Sequence, residues 1–199
     1  MKLRILGCSG GIGGESLRTT SLLVDDDVLI DAGTGVGDLP IEELARIDHL
    51  FLTHTHLDHI ACLPLMIDSV ADRRSRPLTV YGAPAVLDIL RKHVFNWLVW
   101  PDFAEVPSAD NPFMRYQPIE LLKPVTLGGR SFTPLPVDHT VPAVGYRLDS
   151  GAGSLVFSGD TGPCDAFWQA VNRIDNLRHV IIECAFPDRE APLALLSKH

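Results

Sequence analysis

The chain has 199 residues, enough for one domain with a sizeable core, and its 46% hydrophobic and 21% charged residues are ordinary globular proportions. With 17 basic against 25 acidic residues the formal charge is −8, which argues against a nucleic-acid surface, because that needs a basic footprint to neutralise phosphates. The four cysteines (Cys8, Cys62, Cys164, Cys184) lie far apart with no Cys-x-x-Cys, so a reduced, cytoplasmic chain is expected rather than a disulfide framework. The apolar residues before Cys8 are too few for a signal-peptide core of ~7–15 residues, and no run approaches the ~18 that a membrane span needs.

In chain order, Lys2–Leu6 reads as a first strand running into the glycine-rich stretch from Gly7 to Gly14. That stretch lacks the third glycine of a dinucleotide fingerprint, and no Gly-Lys-Ser/Thr follows for a phosphate loop, so a turn allowing close backbone approach is the better reading. Thr20–Val24 and Val28–Asp31 form a hairpin about the turn Asp25-Asp26-Asp27. Pro40 opens a short helix through Arg46, with acids in its first turn. His49–Thr53 is a compact apolar strand, and Asp58–Arg73 follows at helical spacing, interrupted early by Pro64.

Leu78–Tyr81 reads as a strand, Ala85–Phe95 as an amphipathic helix, and Trp97–Pro112 as an irregular aromatic segment. Short strands follow at Val125–Leu127, Ser131–Val137, Val144–Asp149 and Leu155–Ser158, then a helix at Asp165–Ile174 and a last, buried strand at His179–Ile182. Strands and helices alternate in both halves, which predicts an α/β sandwich rather than an all-β barrel.

The chemistry is concentrated in His54-Thr55-His56-Leu57-Asp58-His59. His54 and His56 leave the strand on the same side, and Asp58 and His59 follow at a helix start. Imidazole nitrogen with carboxylate oxygen suits zinc, iron or manganese and lacks the sulfur of most structural zinc sites. A single metal would leave some of these groups charged and crowded; a second relieves that. His139 follows one apolar strand and Asp160 another, at the carboxyl ends where α/β sheets place ligands, so both join the candidate set. Trp97, Trp100 and Phe103 are either an aromatic wall for a base or the packing of an irregular lid. Asp31 is either a second layer behind the ligands or a turn aspartate, and Asp138 beside His139 is a further candidate for fixing an imidazole. His49, His93 and His179 have no partners in pattern and read as structural or surface residues.

Six pieces of the chain carry a resemblance: Leu29–Gly33, Thr53–His59, Trp100–Phe103, Val137–Pro142, Ser158–Gly162 and Ile182–Phe186. Together they are similar to the metallo-β-lactamase-fold hydrolases, and within them to the 3′,5′-cyclic-nucleotide phosphodiesterase-like (class II) branch, although Cys62 stands where that branch usually has a small residue. The resemblance implies a four-layer αβ/βα sandwich forming a single domain over 1–199. It also implies two divalent ions, zinc first, with manganese or iron as alternatives. His54, His56 and His139 would hold one ion, Asp58 and His59 the other, with Asp160 bridging. Asp58 would orient a metal-bridged hydroxide that cleaves a phosphodiester, and Glu183 with His199 would match a pair that assists the leaving group. The family normally continues past Ser197-Lys198-His199 with a helix and a strand carrying one more metal-ligating histidine, so a C-terminally truncated domain is expected. The partner expected is a small anionic phosphodiester, a cyclic nucleotide foremost; a homodimer stays open, no membrane is involved and nucleic acid is disfavoured. Two alternatives remain: a transfer-RNA 3′-processing endonuclease, disfavoured because Trp97–Lys123 holds only Arg115 and Lys123 as basic residues, and a metal-binding but catalytically impaired or partner-dependent member.

Overall fold

A computed structural model describes residues 1–199, which divide into two compact units, Met1–Pro118 and Ile119–His199. No helix is long and apolar enough to cross a membrane.

The first unit is built on a six-stranded sheet in sequential order: β1 (Leu3–Gly7), β2 (Ser21–Val24), β3 (Val28–Ile30), β4 (His49–Phe51), β5 (Leu78–Gly82) and β6 (Met114–Pro118). The first three strands alternate in direction, with β2 and β3 joined through the acidic turn, where Asp25 takes a positive φ of 52°. From β3 to β6 all neighbours are parallel. Strands β2 and β3 are buried at every position, which explains their unbroken apolar runs.

Helices α1 (Ile41–Leu44), α3 (Leu63–Val70) and α4 (Pro84–His93) provide the covering, because their apolar residues recur at helical spacing. Leu63, Met66, Ile67 and Val70 of α3, and Val86, Leu87 and Leu90 of α4, join Leu29, Leu50 and Val80 in one core. Each such side chain contributes about 1.5–3 kcal/mol on leaving water. The interruption expected at Pro64 within 58–73 separates two helices, α2 (Leu57–Ile60) and α3, since Pro64 sits in the first turn of a new helix and cannot continue the old one. Phe103 is buried in this core, with Trp100 packed against it, while Trp97 is exposed; the lid-packing alternative therefore describes two of the three aromatic residues.

The second unit carries a five-stranded sheet in the order β11-β10-β9-β8-β7: β7 (Val125–Leu127), β8 (Arg130–Pro136), β9 (Val144–Asp149), β10 (Ser154–Phe157) and β11 (Leu177–Ile181). Strands β7 to β10 are antiparallel neighbours and β11 is parallel to β10. Helix α5 (Asp165–Val171) lays Phe167 and Val171 on Leu135 and Val156, and α6 (Ala191–Ser197) lies near the end of the chain. The last strand differs from expectation. It is an edge strand, and His179, Val180 and Ile182 are exposed despite the apolar run.

Candidate metal centre

Strand direction assembles the candidate residues within each unit. In the first, β3 and β4 are parallel, so Asp31 and the Thr53–His59 segment emerge at the same sheet edge. The rings of His54 and His59 have centroids 4.1 Å apart, and those of His54 and His56 4.7 Å. His54 and His59 are buried, His56 and Asp58 half-buried, and Nε2 of His59 lies 3.6 Å from Oδ2 of Asp58.

A buried carboxylate organises this cluster from below. Asp31 is fully buried and takes the left-handed conformation at φ 57°, one that aspartate tolerates better than most residues. Its carboxylate accepts from the Thr53 N–H (2.8 Å), the Thr53 hydroxyl (2.7 Å) and Nδ1 of His59 (2.7 Å). A carboxylate only accepts, so His59 carries its proton on Nδ1 and presents a lone pair at Nε2. The Thr53 hydroxyl gives its one proton to Asp31, so in its 3.0 Å contact with Nδ1 of His54 it must accept. That sets His54 in the same tautomer. Asp31 thus has the turn conformation weighed for it and also bonds an imidazole of the cluster. Thr53 was missed as a functional residue, because a hydroxyl relay leaves no pattern in a sequence.

Gly33 shows how tightly the loops are drawn around this edge. A Cβ there would sit 2.3 Å from the Asp58 carbonyl oxygen and 2.5 Å from that of Thr20, so only glycine fits.

In the second unit β8 and β10 run in the same direction, being two antiparallel pairings apart, and β11 is parallel to β10. Their carboxyl ends therefore bring Asp138-His139, Asp160 and Glu183 to one edge. Potential ligand atoms of Asp160, Glu183 and His199 lie within 4.8 Å of one another, and the His139 and His199 rings are 5.0 Å apart. Nδ1 of His199 is 2.7 Å from Oε2 of Glu183 and 3.9 Å from Oδ2 of Asp160. The other Glu183 oxygen accepts from the Thr161 N–H, and the Glu183 N–H donates to the Ser158 hydroxyl at 3.2 Å. Burial, helped by the Asp160 charge, pushes the Glu183 carboxyl above its ordinary pKa despite the bonds from His199 and Thr161. Glu183 and His199, taken from the resemblance as a pair, are a hydrogen-bonded pair.

The donors in each unit are imidazole nitrogens and carboxylate oxygens, and His54 and His59 are held in the tautomer that puts the lone pair on Nε2. They have the chemistry to hold a divalent cation. His49 packs beside Tyr81, and His93 and His179 are exposed, away from these clusters as expected.

Comparison with known proteins agrees with this chemistry. A family model described as a β-lactamase superfamily domain matches residues 26–195. A probable 3′,5′-cyclic-nucleotide phosphodiesterase of Yersinia pestis is 30% identical over 158 residues, covering 71% of this chain and 44% of the relative. The 3′,5′-cyclic-nucleotide phosphodiesterase of Schizosaccharomyces pombe is 31% identical over 175 residues, covering 77% of this chain and 48% of the relative. The chain thus spans about half the length of these curated relatives. The crystal structure of the metallo-β-lactamase fold protein YhfI from Bacillus subtilis superposes over 99% of this chain and 75% of its own, with a TM-score of 0.75 at 23% identity; that likeness speaks to the fold. The chain belongs to the β-lactamase superfamily, as a metallo-β-lactamase-fold domain related to the cyclic-nucleotide phosphodiesterase-like branch.

Proposed function

We propose that the chain is a two-metal phosphodiesterase acting on a small anionic substrate, with a 3′,5′-cyclic nucleotide foremost. In this reading His54, His56, His139 and Asp160 hold one divalent cation, and Asp58, His59 and Asp160 hold the other. The observation that carries it is the Asp31–Thr53 relay, which holds the His54 and His59 rings through Nδ1 and so puts the lone pair of each on Nε2. Metal-ligating histidines usually donate their other ring N–H to a carboxylate or a neighbouring polar group in this way, which fixes tautomer and ring orientation. The branch of the relatives supports the choice of bond.

Bound there, a cation pair would supply Lewis acidity to water and to the phosphoryl group. The rest belongs to the side chains. Asp58 accepts a hydrogen bond from the attacking water and orients it. Glu183 holds Nδ1 of His199 through the 2.7 Å bond, so that Nε2 is the ring atom free to deliver a proton. His199 delivers a proton from Nε2 to the departing ester oxygen as its bond to phosphorus breaks.

The test is turnover of bis-p-nitrophenyl phosphate and of a 3′,5′-cyclic nucleotide by the zinc- or manganese-loaded chain, beside a β-lactam and a thioester. Selective phosphodiester turnover is expected. Hydrolysis of the thioester or β-lactam alone would overturn the bond class.

A further inference from the structure

The second unit also grips His139 by a contact that the proposed chemistry does not use. Lys198 ends α6 in the left-handed conformation, at φ 55° and ψ 57°, with its own N–H directed at the carbonyl of Ala194. The N–H of His199 reaches the same carbonyl at 3.0 Å. Few non-glycine residues adopt this conformation, and fewer with a long side chain. Here it turns the Lys198 carbonyl towards His139, whose Nδ1 lies 3.1 Å from that oxygen. The same turn brings Nδ1 of His199 to Glu183. The Lys198 backbone also lies close to Gly162, where a Cβ would come within 3.3 Å of the Lys198 Cα.

A peptide oxygen has no proton to give, so the contact requires His139 to carry its proton on Nδ1 and puts the lone pair on Nε2. We propose that Lys198 is a positioning residue for the metal centre: its backbone carbonyl, aimed by the left-handed turn, fixes His139 in the tautomer that binds a cation through Nε2. This rests on the metal-binding reading above. It makes His139 the third imidazole of the set to be locked through Nδ1, here by backbone rather than by the Asp31–Thr53 relay.

Two parts of Lys198 reach this region, and they are not equivalent. The ammonium pairs with Asp138 at 2.7 Å, but both side chains are about half exposed and water screens the pair. Asp138 is only the neighbour of the ligand. The carbonyl touches the imidazole itself. The backbone therefore sets the His139 ring, and substitutions that keep the turn differ in effect from those that break it.

The experiment uses the full 199-residue chain, metal-free and 15N-labelled. Long-range proton–nitrogen spectra read the His139 tautomer, with His139→Gln assigning the signal, and competition with a chelator reads zinc affinity. Backbone amide spectra confirm that each variant is folded. The wild type should show Nδ1 protonated. Lys198→Gly and Lys198→Asn suit the left-handed conformation and lose the ammonium, so they should keep the tautomer and stay within about threefold of wild-type affinity. Lys198→Val cannot comfortably hold that conformation, and Gly162→Ala pushes the Lys198 backbone aside while leaving its side chain in place. Both should give mixed tautomers and lose roughly 10–100-fold in zinc affinity. If Lys198→Val does not fold, Gly162→Ala decides the matter. A wild-type His139 protonated on Nε2, unchanged readouts in Gly162→Ala, or equal losses in Lys198→Gly and Lys198→Val would each overturn the proposal. Correct tautomers with no zinc bound at all would uphold the clamp and refute the metal-binding reading instead.

Discussion

Replacing Asp31 by asparagine removes a charge and almost nothing else. Asparagine tolerates the left-handed conformation, so the backbone at φ 57° is preserved. The carboxylate accepts three hydrogen bonds of 2.7–2.8 Å in a fully buried site, and bonds to a charged acceptor are worth about 1.5–3 kcal/mol each. The amide offers one oxygen in place of two, and its NH2 group faces donors. It can keep one of the three bonds well, and the metal-free chain should lose about 2–4 kcal/mol of stability in urea denaturation. The larger consequence concerns His59. Without the carboxylate, Nδ1 can accept from the amide and Nε2 then carries the proton, which removes the lone pair offered to a cation. Zinc affinity should fall about 10–100-fold in chelator competition, or about 1.4–2.7 kcal/mol. An affinity within about twofold of wild type would refute the claim that Asp31 sets the tautomers, since that role demands a loss near the measured range for such partners.

Three further outcomes are expected. His199→Gln should lower turnover by about 10²–10⁴-fold while zinc stoichiometry is unchanged; loss of a metal would instead make His199 a ligand. Gly33→Ala should cost about 3 kcal/mol or more in chemical denaturation, because the added Cβ meets backbone oxygens of Asp58 and Thr20 that cannot swing away; a cost near zero would contradict the tight loop packing. At Asp149 burial works against the charge, but the Gly151 N–H, Asn176 and Arg147 outweigh it and hold the carboxyl below its ordinary value. A lowered folded-state pKa stabilises above the unfolded carboxylate pKa and is lost as pH falls through the folded value. Asp149→Asn should thus be destabilised by below about 1 kcal/mol at neutral pH and match wild type in strong acid, as urea titrations at the two pH values would show.

The parts of the fold that were legible in the sequence are those fixed by local periodicity. The hairpin around Asp25-Asp26-Asp27 and the strands Val125–Leu127 and Val144–Asp149 stand where alternation and turn residues put them. Strand β6 escaped notice because Met-Arg-Tyr-Gln-Pro is polar and ends in proline, and its place is set by pairing with β5. Helix α6 was missed because its leucines, exposed at Leu193, Leu195 and Leu196, mark no buried face. The strand at His179–Ile182 was expected to be buried on its composition, and only sheet order reveals it as an edge.

Around the candidate site the contrast is one of sequence distance. His54, His56, Asp58 and His59 announce themselves because they share one loop. The Asp31–Thr53 relay joins residues 22 positions apart through a hydroxyl, and the contact of His139 with Lys198 spans 59, so neither leaves a local signature. Lys198 in particular acts through its backbone, to which residue type is nearly silent.

The central claim is that the candidate imidazoles and carboxylates hold a pair of divalent cations. Anomalous diffraction at the zinc edge from crystals of the zinc-loaded chain tests it most directly. The account predicts two sites per chain, one bound by His54, His56, His139 and Asp160 and the other by Asp58, His59 and Asp160. No ordered zinc near these residues, or zinc held by the cysteines instead, would contradict it.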